Sequence, residues 1–201
     1  MSLEDRVATL ESLVRTVQCR GITADDVAVD AVRRDLVAHE ACGAALVRVP
    51  DDYYAQPLHN RAYLLRTRVE SLCKTLVFEA LSAAGEHVEH VAVVVQYVAR
   101  LDLDRLVRYL HGKLGRAISL RAAEDIVEIC GQPTGGVSPF GWPRCRRLLV
   151  TKGVATLPAS GIPFVWLGGG HPSVKLRVTV RDLVSGAEVV DCAEAREDED
   201  E

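Results

Sequence analysis

Helical periodicity dominates the first 41 residues. The apolar positions of the opening segment recur at alternating spacings of four and three: Leu3, Val7, Leu10, Val14 and Val17. This pattern predicts an amphipathic helix over residues 3–17, which either packs on its own domain or docks a partner or second copy. Acids after Thr23 indicate the start of another helix over residues 24–41. Residues 1–43 are therefore interpreted as an N-terminal helical extension.

Apolar, β-branched runs alternate irregularly with helical patterns over the rest of the chain. Strands are predicted at residues 44–49, 74–79, 88–99, 147–150, 163–168, 175–180 and 188–192. Helical periodicity marks residues 58–73, 102–114 and 181–185, and Ser119 is expected to cap a further helix that ends at Gly131. The irregular order predicts one mixed α+β domain over residues 44–192. Its core would be a partly antiparallel sheet or a small barrel, surrounded by helices.

Charge is distributed unevenly. The chain has 201 residues, 48% of them hydrophobic and 26% charged, which is an ordinary globular composition. The net charge of −4 alone speaks against a nucleic-acid binder. However, residues 193–201 concentrate acids and are predicted to form a disordered acidic tail. Residues 131–181 contain no acid, and their bases are Arg144, Arg146, Arg147, Lys152, Lys175, Arg177 and Arg181. This segment is therefore the expected nucleic-acid contact.

Several classes of protein are disfavoured. No apolar run approaches the roughly 20 residues that span a bilayer, and no secretion signal is apparent, so we expect a cytoplasmic protein without a membrane partner. The cysteines are widely spaced, which predicts free and mostly buried thiols. His87 and His90 are three residues apart around the start of a predicted strand, and strand alternation places them on opposite faces. We therefore expect no metal and no cofactor.

Three segments could carry chemistry. Lys74 enters an apolar strand, either as an exposed edge residue or as a cation aimed into a cleft that suits phosphate. Residues 131–141 form a loop rich in glycine and proline, either a plain surface loop or one whose amides approach a ligand. His171 follows three glycines after a predicted strand, as a turn residue or a functional one. A P-loop and a nucleophile elbow are both absent, and Cys130 is interpreted as a buried structural thiol.

In their order and spacing, these segments resemble the YbaK/prolyl-tRNA-synthetase-associated editing domain family. The similarity covers roughly residues 45–192. It is carried by Lys74-Thr75-Leu76-Val77, the strand at 91–98, the pattern around Leu101, Cys130-Gly131 to Pro139-Phe140-Gly141, Gly168-Gly169-Gly170-His171-Pro172 and Arg181-Asp182-Leu183. The motifs Asp52-Tyr53-Tyr54 and Leu72-Cys73-Lys74 are similar to those of the free-standing eukaryotic branch. Since these residues show no synthetase catalytic domain, activity in trans is expected.

The resemblance implies hydrolysis of the ester that links a wrong, small amino acid to a tRNA, usually tRNA(Pro). Lys74 matches the family's essential lysine, expected to hold phosphate or the terminal adenosine. Gly135 and Pro139 match a Gly-x-x-x-Pro loop expected to hold the aminoacyl group, with Gly136, Val137 and Ser138 inside it. Gly169, Gly170 and His171 match a facing glycine-rich loop. Cysteine-specific bacterial members lack this histidine, which disfavours cysteine as the substrate.

The resemblance leaves the partners less defined. Arg144, Arg146, Arg147 and Lys152 are the candidate tRNA contacts, and the N-terminal helix is a candidate contact for a synthetase or another protein. The alternative function is a catalytically weak adaptor that binds tRNA or a synthetase and keeps only the editing fold. Retention of Lys74, the 135–139 loop and His171 favours the enzyme.

Overall fold

The structure is a computed structural model that describes residues 26–41, 43–143 and 146–196. Within these ranges the α-helices are α1 (Val27–Ala38), α2 (Leu58–Leu64), α3 (Leu103–Leu114), α4 (Ile126–Cys130), α5 (Lys152–Ala155) and α6 (Val180–Ser185). The strands are β1 (Ala45–Arg48), β2 (Cys73–Ser82), β3 (His87–Gln96), β4 (Ala99–Leu101), β5 (Ile118–Ala122), β6 (Arg147–Thr151), β7 (Phe164–Gly168), β8 (Val174–Thr179), β9 (Glu188–Val190) and β10 (Ala193–Ala195). The helix predicted over residues 3–17 lies outside the described residues. None of the described helices has the length and apolar character needed to cross a bilayer.

The central sheet has five strands in the order β5-β2-β3-β6-β9. Strands β2 and β3 form an antiparallel hairpin whose turn contains Gly85 at a φ of 79°. β5 adds to the hairpin antiparallel, whereas β6 and β9 add parallel on the other side. The prediction of a mixed, partly antiparallel sheet is therefore confirmed.

Two smaller sheets complete the domain. Strands β1, β8 and β7 form an antiparallel sheet in that order, and β10 pairs with β4. Over the described residues an isolated parallel bridge between Leu72 and Trp166 links the N-terminal end of β2 to β7, but the three sheets do not join into a closed barrel, so the alternative of a small barrel is wrong. The long central strands instead bury both of their faces, one against helix α3 and the other against the sheet of β1, β8 and β7 together with α1.

Strand β3 shows how the layers are built. Val91 and Val93 pack with Leu106 and Leu110 of α3 on one face of the central sheet. On the other face, Ala92 and Val94 join a core with apolar residues of β7, β8 and α1. Because successive side chains of a strand point to opposite faces, a strand covered on both faces has a continuous apolar run. This explains the uninterrupted run at 91–95.

Helix α1 packs directly against this core. Asp26 caps it by accepting hydrogen bonds from the amides of Ala28 and Val29, and Val29, Val32 and Leu36 are buried. The helix therefore shares a hydrophobic cluster with the domain, although its sequence lies within the segment predicted as an extension. The buried stripe follows the spacing of three and four residues expected of an amphipathic helix.

Two local predictions are corrected. Ser119 lies in β5 rather than at a helix start, and Asp125 caps α4 by accepting from the amide of Glu128. Strand pairing with β2 outweighed the capping preference of a serine. At the other end, the segment predicted as a disordered tail begins with β10, which pairs with β4 and places Glu194 2.7 Å from Arg105. Residues 197–201 lie outside the described residues.

Candidate active site

A cavity of about 270 Å³ lies at the edge of β2 that β5 leaves open. β5 pairs only with residues 78–82, so residues 73–77 pair with β3 alone among the strands described. Residues 72–78 all contribute to the lining, as expected of a cavity at a strand edge rather than on a sheet face. The opposite walls come from β7, β8 and the loop after α4. The remaining lining residues include Tyr53, Tyr54, Tyr97, Thr134, Gly135, Val137, Trp166 and Lys175.

Lys74, predicted to be either an edge residue or a cation in a cleft, lines this cavity. Its ammonium lies 5.6 Å from the centre of the Tyr97 ring, a distance that allows a cation–π contact. Partial burial, and then the nearby charge of Arg196, lower the pKa of Lys74 below its usual value. Arg196 follows β10, so the chain end predicted as an acidic tail brings a base close to the cavity. The cleft interpretation of Lys74 is the one the structure shows.

A second lysine, Lys175 on β8, lies in the same cavity and is only 4% exposed. Its ammonium donates to the hydroxyl of Tyr54 at 2.5 Å and to the carbonyl of Gly135 at 3.1 Å. It also lies 4.2 Å from the centre of the Tyr54 ring. Burial lowers the pKa of Lys175 to about 7, and the charge of Arg61 adds to this effect.

No acid lines the cavity among the residues that the structure describes. A buried ammonium without a carboxylate is costly, which makes Lys175 a candidate functional group. From the sequence Lys175 is only one base of the acid-free segment, because a lysine between the apolar residues Val174 and Leu176 is typical of the solvent face of a strand. The covering Tyr54 lies 121 positions away along the chain.

The loop after α4 is held rigidly from within. The buried side chain of Gln132 donates to the carbonyl of Phe140 at 2.6 Å and accepts from the amide of Ser138 at 2.6 Å. The hydroxyl of Ser138 accepts from the amide of Phe140, and its carbonyl accepts from the indole of Trp142. The hydroxyl, the amide and the carbonyl of Ser138 therefore all brace the loop, and this buried residue does not line the cavity.

The two glycine-rich loops are packed against each other. The carbonyl of Gly136 accepts from the amide of Gly170 at 2.8 Å, and a Cβ on Gly136 would lie 2.7 Å from the backbone of His171. A Cβ on Gly168 would lie 2.4 Å from the carbonyl oxygen of Val137. These contacts explain why both loops are rich in glycine, since any side chain there would separate them.

His171 is exposed and does not line the cavity. Its Nδ1 lies 2.7 Å from the hydroxyl of Ser173 and accepts from the amide of the same residue at 3.2 Å. Because an amide can only donate, Nδ1 is the accepting nitrogen of the ring. The histidine thus closes its own turn in this structure.

Of the residues implied by the resemblance, the cavity brings together Lys74, Gly135 and Val137. The others pack behind or beside this lining: Gly136, Ser138, Pro139, Gly169, Gly170 and His171. The amide of Gly136 donates to the carbonyl of Pro133, and that of Ser138 to Gln132. Gly135 and Val137 therefore supply the loop backbone that faces the cavity.

The candidate tRNA contacts are already engaged by other groups. Arg146 donates to the carbonyl of Pro139, and its guanidinium lies 5.2 Å from the Trp142 ring. Arg147 lies in an ion pair at 2.7 Å with Glu89. Lys152 lies 3.0 Å from Asp191. Arg144 is outside the described residues. The acid-free segment is therefore partly neutralised by acids from distant parts of the chain.

The described cysteines, Cys73, Cys130 and Cys192, are free and buried, as predicted. Burial raises the pKa of all three thiols, which disfavours a thiolate nucleophile. The expectation that His87 and His90 lie on opposite faces of the strand is wrong. A bulge after Ala80 brings the His87 and His90 rings to 4.3 Å between centres, next to Glu79. Glu79 is also paired with Arg121 at 2.7 Å.

Comparison with known proteins places this geometry in context. Residues 58–185 match the aminoacyl-tRNA editing domain. The fold is similar to that of a proposed trans-editing enzyme for prolyl tRNA synthetase, at 24% identity and a TM-score of 0.65, over 84% of this chain and 98% of that one. It is also similar to the hypothetical protein APE2540, at 27% identity and a TM-score of 0.60, over 82% and 99% of the two chains. No match was found among curated proteins.

Proposed function

Since the chain belongs to the aminoacyl-tRNA editing domain family, we propose that it hydrolyses the ester between a mischarged small amino acid and the 3′ end of a tRNA. The observation that carries this proposal is the cavity at the open edge of β2, whose lining brings together Lys74 and the residues Gly135 and Val137 of the braced loop. Its volume of about 270 Å³ suits a small acyl group together with part of the terminal nucleoside.

The cavity offers what ester hydrolysis needs. An aminoacyl ester is already activated, so a placed water, a fixed carbonyl and donors for the developing oxyanion are sufficient. The loop backbone at Gly135 and Val137 is the proposed donor, and the Lys74 ammonium is the proposed contact for the phosphate or terminal adenosine. Water adds to the carbonyl carbon and forms a tetrahedral intermediate. This intermediate then collapses, and the ribose oxygen leaves with a proton. We propose that the neighbouring ribose 2′-hydroxyl of the substrate assists that proton transfer.

The proposed carrier is tRNA(Pro), and the proposed mode of action is in trans. The similarity of the fold to a proposed trans-editing enzyme for prolyl tRNA synthetase supports both. Selection among amino acids would rest on the size of the cavity, which discriminates only about 10–200-fold per methylene. Such an activity supplements a synthetase that cannot reject small amino acids by binding alone.

The test is release of the amino acid from tRNA(Pro) charged with alanine, serine, cysteine or proline. We expect the wild type to release at least one small, incorrect amino acid, and Lys74→Ala to lose most of that activity with an unchanged Tm. The matched control is Lys113→Ala, which removes a lysine paired with Glu188 away from the cavity. No release from any substrate would contradict the enzyme and favour the adaptor. Activity retained on tRNA that lacks the terminal 2′-hydroxyl would contradict substrate assistance.

A further inference from the structure

Thr75 is an anomaly in the cavity wall. It is only 8% exposed, it lines the cavity, and its hydroxyl oxygen has no hydrogen-bond partner among the residues that the structure describes. A hydroxyl that is removed from water without a partner destabilises the folded protein. Threonine here is therefore unfavourable for folding alone, and a valine of the same shape would avoid the cost.

Several other buried polar side chains of the domain have hydrogen-bond partners. Ser71 donates to the carbonyl of Arg68 at 2.6 Å, Ser138 accepts from an amide, and both ends of the Gln132 amide are bonded. Arg177 Nε is also buried without a partner, but Arg177 does not line the cavity. An unpartnered polar atom within the cavity thus distinguishes Thr75 from these groups.

The backbone amide and carbonyl of Thr75 point towards the open edge of β2, where the cavity lies. The carbonyl of Leu72 accepts from the amide of Tyr97 on the β3 side, whereas the carbonyl of Val77 accepts from the amide of Ala123 on the β5 side. In an antiparallel pair, successive residues direct their backbone groups to alternate sides. Thr75 therefore directs its amide and carbonyl, like those of Val77, away from β3. That side is the open edge where β5 does not reach.

We propose that Thr75 binds the substrate, with its hydroxyl hydrogen-bonded to the α-amino ester that all aminoacyl groups share. This inference rests on the proposed function. An aminoacyl ester carries an amine and a carbonyl in the same order as one residue of a strand. It therefore complements the exposed amide and carbonyl at an open strand edge, in the manner of a peptide added to a sheet. The Thr75 hydroxyl, which both donates and accepts, supplies the third contact.

The experiment compares Thr75→Val, which removes the hydroxyl but keeps the shape, with Thr75→Ser, which keeps the hydroxyl. Deacylation of alanyl- and seryl-tRNA(Pro) and Tm are measured for both variants. We expect Thr75→Val to lower kcat/KM about tenfold or more on both substrates, and Thr75→Ser to remain within about threefold of wild type. Because Thr75→Val removes an unsatisfied hydroxyl, its Tm should equal or exceed that of wild type.

Thr179→Val is the matched control, since the Thr179 hydroxyl caps α6 by accepting from the amide of Asp182 at 2.9 Å. We expect it to lower Tm and to leave kcat/KM unchanged. Unchanged kcat/KM for Thr75→Val would overturn the inference, as would a lowered Tm or an effect confined to the seryl substrate. A wild type that releases no amino acid from alanyl-, seryl-, cysteinyl- or prolyl-tRNA(Pro) would contradict the proposed function instead. In that case the inference is tested by binding of a non-hydrolysable aminoacyl-adenosine analogue. A Thr75→Val variant that binds this analogue no more weakly than wild type would overturn the inference.

Discussion

The ammonium of Lys175 lies 3.1 Å from the carbonyl oxygen of Gly135, and the Tyr54 hydroxyl donates to the same oxygen. Two donors on one carbonyl fix the orientation of the peptide group after Gly135, in the loop that lines the cavity together with Lys74. Gly135 has a φ of 84°, a conformation that other residues rarely adopt. Lys175 and Tyr54 together thus hold the loop backbone in place from inside the cavity.

Removing either donor should therefore loosen the loop backbone at Gly135 and so reduce activity. We expect Lys175→Met to lower kcat about tenfold or more, and Tyr54→Phe to lower it less. Since both groups act on one carbonyl, the double variant should lose less than the sum of the two single effects. Single-turnover deacylation measures all three variants. A wild-type kcat for Lys175→Met would contradict the positioning role.

The burial of Lys175 should also make stability depend on pH. The pKa of Lys175 is about 7 in the folded protein, against 10.5 ordinarily. Below pH 7 both folded and unfolded chains carry the proton, whereas above pH 7 only the unfolded chain keeps it. The free energy of unfolding should therefore rise with pH through this window.

Thermal denaturation of wild type and Lys175→Met between about pH 7 and 8.5 measures this effect. Titration of the unfolded cysteines, whose pKa is about 8.5, contributes equally to both proteins and cancels in the comparison. The Tm of wild type should rise relative to that of the variant as the pH increases. An equal pH dependence of the two Tm values would show that Lys175 stays protonated in the folded protein.

Arg147 should contribute to stability. It bonds Glu89 at 2.7 Å and pairs with Glu188, which also accepts from the Tyr109 hydroxyl. Arg147→Ala would leave two partly buried carboxylates short of a partner, and we expect it to lower the free energy of unfolding by about 1–3 kcal/mol. Urea denaturation measures this change. Weakened tRNA binding with unchanged stability would instead assign Arg147 to the tRNA surface.

Gly136 should not tolerate a side chain. A Cβ there would meet the backbone of His171 at 2.7 Å and force the two glycine-rich loops apart. We expect Gly136→Ala to lower both Tm and kcat. The control is Gly112→Ala in α3, where no atom lies within 4 Å of the added Cβ; it should raise stability by about 0.5–1 kcal/mol. A Gly136→Ala variant with wild-type Tm would show that the loops can separate without cost.

Local pattern was sufficient for most of the elements and for part of the site, although it predicted a helix where β5 lies. The β-branched runs predicted strands that the structure shows as β2, β3, β6, β7 and β8, because alternation and β-branching depend only on neighbouring residues. Lys74 was identified from its position at the start of such a strand, and the loop of Gly135 from its glycines. The combination of these short motifs also indicated the family, since their order along the chain is itself information.

Long-range contacts decided the rest. Lys175 lies in a strand whose pattern predicts exposure, but the rings of the distant Tyr53 and Tyr54 lie close to its ammonium. Ser138 was expected to face the substrate, but its bonds to Gln132 and Phe140 turn it inward. Residues 131–181 contain bases and no acid along the chain. In the folded protein, however, Glu89 pairs with Arg147 and Asp191 pairs with Lys152. Sequence thus indicated most of the strands, while tertiary packing decided which polar groups are buried, because burial depends on residues far away in the chain.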